Sequence, residues 1–471
     1  MTRRFQAVVV GMGPAGLAAA IELGRAGVST ALIDQAPAPG GQVYRQPPAE
    51  FRVPPGPGRA RHATGKRLIR EIGPFGRSIS FLNGAIAWGA FGPGVLSVQH
   101  DGCNLDLRYE KLIVCEGAQE RVIPFPGWTL PGVFSIGALQ KMITTQGIVP
   151  EGRVLLAGSG PLMVGTGAAL ARAGAELAGW YEAVPLARWA SLGLAMPRWP
   201  RLITESLSYL SELVSRGVKL RFGWGLKRVS GNQRVEAATL VRLDGGGAPI
   251  AGSEKEVPVD VVGIGFGLQP SVRLARLVGC RTDYDWNRRC FAPLTDGWGQ
   301  SSLSGVYLSG DGAGVGGADW SEVQGRLAGL HAAWPLNRIE RRRFEAASRK
   351  WVHAKHRLEA YLARYHAIFT PRDGHYRVIT PETVVCRCEG VRAGELVIRM
   401  RAGERDLTAL KPTRLGMGAC QGRGCEGIAA ELMRLEGIPA ESMKPFHLRP
   451  PLFPMPLPAF RRNATEGGPA R

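Results

Sequence analysis

The 471-residue chain contains no run of about 20 apolar residues, so none of its helices is expected to span a bilayer. Cysteine is scarce at eight residues, too few and too scattered for a secreted disulfide framework. Acid is in short supply, with 39 Asp and Glu against 59 Lys and Arg and a net charge of +20. The arginines are spread along the whole chain, however, and no basic helix interleaved with aromatics stands out. The excess therefore reads as a solvated basic surface, or one for an acidic partner, and no nucleic-acid binding is expected. HExxH, GxSxG and GxxxxGK are all missing, which excludes the commonest zinc protease, serine hydrolase and phosphate-loop chemistries.

Glycine is plentiful at 64 residues, and its placement near the start is informative. The opening MTRRFQAVVVGMGPAGLAAAIEL has the arginines and apolar run of an export signal. Gly11, Gly13 and Gly16 at nucleotide-loop spacing, with Glu22 soon after, predict a folded strand–turn–helix instead, and a cytoplasmic protein. A strand over 5–10, the loop GMGPAG, a helix over 15–26 and a strand over 29–33 ending at Asp34 complete a dinucleotide-binding unit. Gly11 permits the tight turn, Gly13 admits a pyrophosphate and Gly16 lets helix and strand pack closely. Pro14 and Ala15 open the helix, whose free N–H groups attract phosphate. Asp34 is placed to accept from ribose hydroxyls.

The GGQ turn at Gly40–Gln42 follows this unit, and Ser309–Gly310–Asp311 closes a later strand. Together they resemble the two-dinucleotide-binding flavoproteins. That resemblance implies FAD held by Gly11, Gly13, Pro14, Ala15, Gly16, Asp34, Gln35, Gly41, Gln42, Gly117, Gly310 and Asp311. It also implies an α/β fold whose FAD domain is built from 1–121 and 266–335, with a second nucleotide-binding-like domain, 122–265, inserted between them. Disulfide reductases of this fold carry a tight cysteine pair near the flavin; here no such pair precedes Cys386. Cys103, Cys115, Cys280 and Cys290 read as small buried hydrophobes. Where relatives often have a small-residue ATGA beside the flavin, this chain has Cys115–Ala118, with Glu116 departing from the pattern.

A second strand–loop–helix begins at 153. Gly158 and Gly160 fit the fingerprint, but the third position is the bulky Met163, and Glu182 is the candidate ribose acceptor. Two readings stay open: a site for NAD or another adenine nucleotide, or a scaffold that binds nothing. Over 337–366, Phe344, Trp351, Leu358 and Tyr365 recur every seven residues among charges, which predicts an amphipathic helix packed on the body. It falls in a helical linker, 336–380.

Cys386, Cys388, Cys420 and Cys425 form two tight pairs, a metal-site signature that both zinc and iron–sulfur satisfy. Helices are expected over 392–400 and 426–435, with a helical turn near 407–410. The segment 381–440, with CRC and TRLGMGACQGRGC, resembles the [2Fe–2S]-binding domain of the bacterioferritin-associated ferredoxin type. That resemblance implies a [2Fe–2S] cluster on the four cysteines. Six prolines between Pro445 and Pro458 predict an extended arm in 441–471, and the last dozen residues read as disordered.

Along nearly its full length, including Pro124–Val133 and Ser309–Ala318, the chain resembles the larger subunits of heteromeric flavin dehydrogenases. This group comprises the A subunit of opine oxidase, the FAD-binding component of hydrogen cyanide synthase, and subunits of D-hydroxyproline or proline dehydrogenases. The resemblance implies an oxidoreductase acting on CH–NH donors in which a smaller FAD-containing subunit oxidises the substrate. This chain would relay electrons to a small-molecule acceptor, and some relatives hold FMN at the subunit interface. No amine-binding constellation is evident, and no catalytic residue is assigned. The alternatives are a self-contained NADH-dependent reductase and a redox-responsive binding protein.

Overall fold

The computed structural model describes residues 2–45, 59–194 and 200–456. Two parallel sheets organise it. The first runs, from edge to edge, Val306–Leu308, Lys111–Val114, Ala7–Val10, Thr30–Asp34 and Ile79–Asn83, every neighbour parallel. Short β-branched runs such as Ala7–Val10 are apolar without alternation because both faces are covered, one by helices and the other largely by the strands Val95–His100 and Cys103–Arg108 of a second sheet. The order reverses between Ala7–Val10 and Lys111–Val114, and the crevice at their carboxyl ends is where GMGPAG sits. A strand from position 306 thus completes a sheet begun at position 7.

The helices Pro14–Arg25 and Gly317–Ala333 press together on this sheet. A Cβ at Gly325 would lie 2.1 Å from the Ala15 carbonyl oxygen, and one at Gly329 would lie 2.5 Å from that of Ala19. Only glycine allows this approach. Beside the contact, Arg326 is 1% exposed and bonds Glu22 at 2.9 Å, Glu71 at 2.8 Å and Glu322 at 3.3 Å. This buried ion network ties the helix Arg59–Ile72 to the other two.

The second parallel sheet is ordered Val133–Ser135, Val261–Phe266, Arg153–Ser159, Glu176–Glu182 and Leu220–Phe222. An antiparallel sheet of Trp224–Ser230, Ala237–Arg242 and Lys255–Pro258 adjoins it. The bodies are joined by the antiparallel pair Ala118–Glu120 and Leu268–Pro270.

The helix Arg341–Phe369 buries Phe344, Leu358, Leu362 and Phe369. Leu358 and Leu362 pack on Trp320, Val323 and Leu327 of the first body. The cysteine module has a short ladder of Val384–Cys386 with Val391–Arg392, then the helices Ala393–Arg401 and Glu426–Leu435. Its core, including Leu396, Leu407, Leu410 and Met433, is continuous with Val272, Tyr284 and Phe291 of the body.

Some expectations shift. The strand expected over 5–10 is shorter, Ala7–Val10, and an additional strand, Thr2–Arg4, pairs with Cys103–Arg108 in a four-stranded sheet before the chain enters the main one. Cys115, Cys280 and Cys290 are buried, but Cys103, at a hairpin end, is exposed. The turn expected near 407–410 is present as a single hydrogen-bonded turn, the Leu410 N–H on the Leu407 carbonyl at 3.2 Å, opened by Asp406, which accepts from the N–H groups of Thr408 and Ala409; a 3₁₀ turn follows at Lys411–Thr413. The proline-rich segment is extended through 456 and lies on the body, with Leu452 buried and its N–H on the Trp88 carbonyl at 2.9 Å. Pro458 and the last dozen residues lie outside the described residues. Among the described residues no helix is long and apolar enough to cross a membrane.

Candidate functional site

Gly11 has φ +102°, and a Cβ there would meet the Cys115 carbonyl oxygen at 2.3 Å. A Cβ at Gly16 would sit 1.7 Å from the Gly11 carbonyl oxygen, so helix and loop interlock. Gly13 differs: its nearest neighbour is the Gly41 Cα at 3.9 Å. The loop is therefore bare where a pyrophosphate would approach. The GGQ turn closes over it, with the Gly40 N–H on the Met12 carbonyl at 2.9 Å. Gln35 and Gln42 are exposed at its rim.

Pro14 and Ala15 open the helix as expected. The Asp34 carboxylate accepts from the Met12 N–H at 2.6 Å and the Ala36 N–H at 2.8 Å, which fixes the loop and leaves each oxygen a second lone pair. From the far end of the chain, Gly310 packs on Ala15: a Cβ there would be 2.7 Å from that of Ala15. Asp311 accepts from the Gly316 and Gly317 N–H groups at 2.9 and 2.8 Å. Burial raises its carboxyl, against those two N–H groups, which lower it. Gly117 is close by, its carbonyl 3.3 Å from where a Gly312 Cβ would be. The set assigned to FAD thus converges on one crevice, and the bare face of Gly13 fits a phosphate ligand.

The second loop is built alike and finished differently. A Cβ at Gly158 would be 1.9 Å from the Gly265 carbonyl oxygen, the same close turn. Met163, at the third position, is 1% exposed in the domain core. The Gly160 N–H, which would face a phosphate, donates to Glu182 at 3.1 Å, and Glu182 also takes the Val184 N–H at 3.0 Å. Glu182 is completely buried, and burial pushes its carboxyl up to about 7 despite these donors.

Over this loop lies the end of the long helix. The Tyr365 hydroxyl comes 3.9 Å from where a Gly160 Cβ would be. Burial raises the Tyr365 phenol, and Tyr361, Asp311 and Glu182 push it the same way. His366 bonds the Val315 carbonyl at 2.9 Å, and Arg188 donates to that of Ala367 at 2.8 Å. Phe369 packs on Val184 and Leu192. What remains beside Ser159, Arg188, Arg372 and His375 is a cavity of about 20 Å³, room for roughly one water.

The four cysteines stand as two contacting pairs, Cys386 with Cys425 and Cys388 with Cys420. Cys386 and Cys425 are buried, Cys388 is exposed and Cys420 intermediate. The Cys425 thiol bonds Cys386 and draws it down to about 5, helped by the N–H groups of Gly416, Glu389 and Cys388. Cys425 is raised by that same bond and by burial. Among the described residues no three His, Cys, Asp or Glu converge on one point as a single-ion site. A tetrahedral zinc needs four ligands about one centre, whereas a two-iron cluster is held by four thiolates shared between two irons. Four thiols brought together in this module supply the ligand number of both. Cys425 heads the helix Glu426–Leu435, whose N-terminus favours negative charge. A Cβ at Gly418 would be 2.3 Å from that of Cys388, and Cβ atoms at Gly416 and Gly422 would strike the Phe446 ring at 2.9 and 2.8 Å. The loop's glycines therefore let it close on Cys388 and lie under the arm.

Two arginines that carry no sequence motif lock this module to the body. Arg276 holds Glu426 with two bonds, 2.9 and 3.0 Å, and also reaches the Phe446 carbonyl. Arg273 donates to the carbonyls of Gln421 and Leu452. Together with Tyr365 they are functional candidates that only the fold reveals.

The sequence matches the family described as pyridine nucleotide-disulphide oxidoreductase over residues 5–335. Hydrogen cyanide synthase subunit HcnB of Pseudomonas aeruginosa is 34% identical over 468 residues, 98% of this chain and 99% of the relative. The A subunit of opine oxidase from Rhizobium meliloti is 31% identical over 479 residues, 96% and 86% of the two chains. In fold, L-proline dehydrogenase from P. horikoshii superposes with a TM-score of 0.68 at 18% identity, covering 98% of this chain and 80% of its own. Thioredoxin reductase from T. acidophilum gives 0.50 at 17% identity over 71% of this chain and 99% of its own. The first likeness extends over the cysteine module; the second leaves more than a quarter of the chain uncovered. This chain belongs to the pyridine nucleotide-disulphide oxidoreductase family, as an FAD-dependent oxidoreductase whose full-length relatives are subunits of larger enzymes.

Proposed function

We propose that this chain is the electron-transfer subunit of a heteromeric dehydrogenase acting on a C–N bond of an amino acid, imino acid or opine. A smaller flavoprotein subunit would oxidise the substrate, and this chain would pass the electrons to a small-molecule acceptor. The observation that carries the reading is the four-thiol module, arranged as two pairs and clamped to the body that holds the FAD loop. FAD would rest on Gly11, Gly13 and Gly16, with Asp34 and Asp311 ordering the surrounding N–H groups. A [2Fe–2S] cluster would take Cys386, Cys388, Cys420 and Cys425. The chemistry such a pair supplies is the conversion of a two-electron donor into single-electron steps, which zinc cannot perform. The protein's part is to hold the two sites rigidly and to keep Cys386 and Cys425 away from water. Support for the subunit role comes from the relatives: both are subunits by name and align over almost their whole length.

The NADH-dependent alternative has the strand–loop–helix at 153–172 in its favour. Against it, the Gly160 N–H and Glu182 are engaged with each other, and Tyr365 stands at the loop. Purified protein should contain flavin, with two irons per chain and little zinc. A colourless chain with stoichiometric zinc would overturn the proposal. Rapid mixing with NADH should leave the flavin absorbance unchanged; fast bleaching would establish the alternative.

A further inference from the structure

The short helix Arg273–Val278 lies between the two proposed redox sites. On one side it is held by Glu116, the residue that breaks the small-residue pattern of 115–118. Its carboxylate accepts from the Ala275 N–H at 3.1 Å and the Ser271 hydroxyl at 3.2 Å, and the Leu274 N–H also points to it. Glu116 is flanked by Cys115, whose carbonyl abuts Gly11, and by Gly117, whose carbonyl accepts from the Ser271 N–H at 3.0 Å. Both neighbours therefore belong to the FAD crevice. On the other side, Arg273 is 7% exposed and donates to the Gln421 carbonyl, next to Cys420. Its Nε has no hydrogen-bond partner among the described residues. Gln421 has φ +52°, so the loop is bent at the very residue Arg273 grips. Glu426, held by Arg276, directly follows Cys425. A half-buried carboxylate beside the flavin crevice thus caps this helix, and a buried cation on the same helix faces the cysteine loop.

We propose that Glu116 and Arg273 are positioning residues that fix the four-thiolate site against the flavin crevice and set its reduction potential in opposite senses. The inference rests on the iron–sulfur reading above. Adding an electron to a four-thiolate cluster adds negative charge. In a water-poor interior a fixed cation nearby favours the reduced state, and a fixed anion opposes it. Glu116 also partly compensates Arg273, so removing either leaves the other uncompensated.

The test is a redox titration of the full-length holoprotein, followed by the electron paramagnetic resonance signal of the reduced cluster. Arg273→Gln should lower the midpoint potential and Glu116→Gln should raise it. Arg273→Lys, which keeps the charge but not the two-carbonyl grip, should restore most of the potential. FAD content should not change in any of the three. Shifts of the same sign in both glutamine variants, or no shift, would overturn the proposal, because loosened packing alone has no reason to act in opposite directions. Metal-free protein supplies a second measurement that does not depend on iron. Alkylation of Cys420 and Cys425 should quicken about tenfold or more in Arg273→Gln, as the grip on Gln421 is lost, while exposed Cys103 reacts at an unchanged rate. Unchanged alkylation of the loop would refute the positioning role. A wild-type protein without an iron signal would refute the iron–sulfur reading instead.

Discussion

The two glycine loops begin with the same physics and end in opposite states. Gly11 and Gly158 each bring their backbone against a carbonyl from a neighbouring segment, closer than any side chain allows. Two residues on, the loops part. Gly13 keeps its bare face clear, and its acid, Asp34, takes N–H groups from Met12 and Ala36. At the second loop the acid takes the N–H of Gly160 itself, and a tyrosine from just over two hundred residues downstream stands over it. A nucleotide fingerprint therefore specifies a turn and a helix start, while neighbours far away in sequence decide whether the turn is left open.

The strongest way to probe this contrast is through what holds each loop's helix. The first carries a buried ion network beside its apolar packing, and the second packs mainly through apolar contacts beside a partly exposed Arg172–Glu212 pair. Arg326→Leu should cost about 3–5 kcal/mol in chemical denaturation, since Glu22 and Glu322 would keep buried charges with a partner removed. Leu213→Ala, on the helix packed against Pro161–Arg172, should cost about 2–5 kcal/mol. Next in size is ligand loss without unfolding. Gly13→Ala has an allowed φ of −73° and room for its methyl, so the fold should persist while bound FAD falls about tenfold or more. Gly160→Ala, at φ +108° and ψ 167°, should cost about 1–3 kcal/mol of stability and leave FAD content unchanged. If both variants lose flavin equally, the contrast fails.

The smallest effect concerns pH. Burial holds Glu182 at about 7 in the folded chain, above its ordinary 4.5, so the folded state binds the extra proton between those values. Its contribution is thus fully present below about 4.5 and is lost as pH rises toward 7. The stability difference between wild type and Glu182→Gln should change across that window and be flat above it.

Much of the first site is legible because its information is local. Gly11, Gly13, Gly16 and Asp34 lie within 24 residues, and the strand, turn and helix between them follow from period and glycine placement. The cysteine pairs are equally plain as a pattern. Their attachment is not. Arg273 and Arg276 are two of the chain's many arginines, and their partners lie some 150 residues away. Tyr365 reads as one residue of an amphipathic stripe, which tells that it packs but not on what. Met163 signals a weaker fingerprint, and its burial gives the reason: the helix stands off the turn far enough for a side chain to fill the space. Thr2–Arg4 and Cys103 depart from expectation because a change of sheet and a hairpin end are set by pairing rather than by propensity.

The arm that crosses the cysteine loop has a consequence for how the molecule comes apart. Phe446 covers Gly416 and Gly422, while six residues later Leu452 is fastened to Trp88 in the sheet that also holds Thr2–Arg4. The loop is thereby strapped between opposite ends of the polypeptide. It cannot breathe on its own, so opening of the thiol pocket is coupled to release of the strap. Ending the chain before Pro445 should split a single calorimetric transition into two, with the cysteine module melting first.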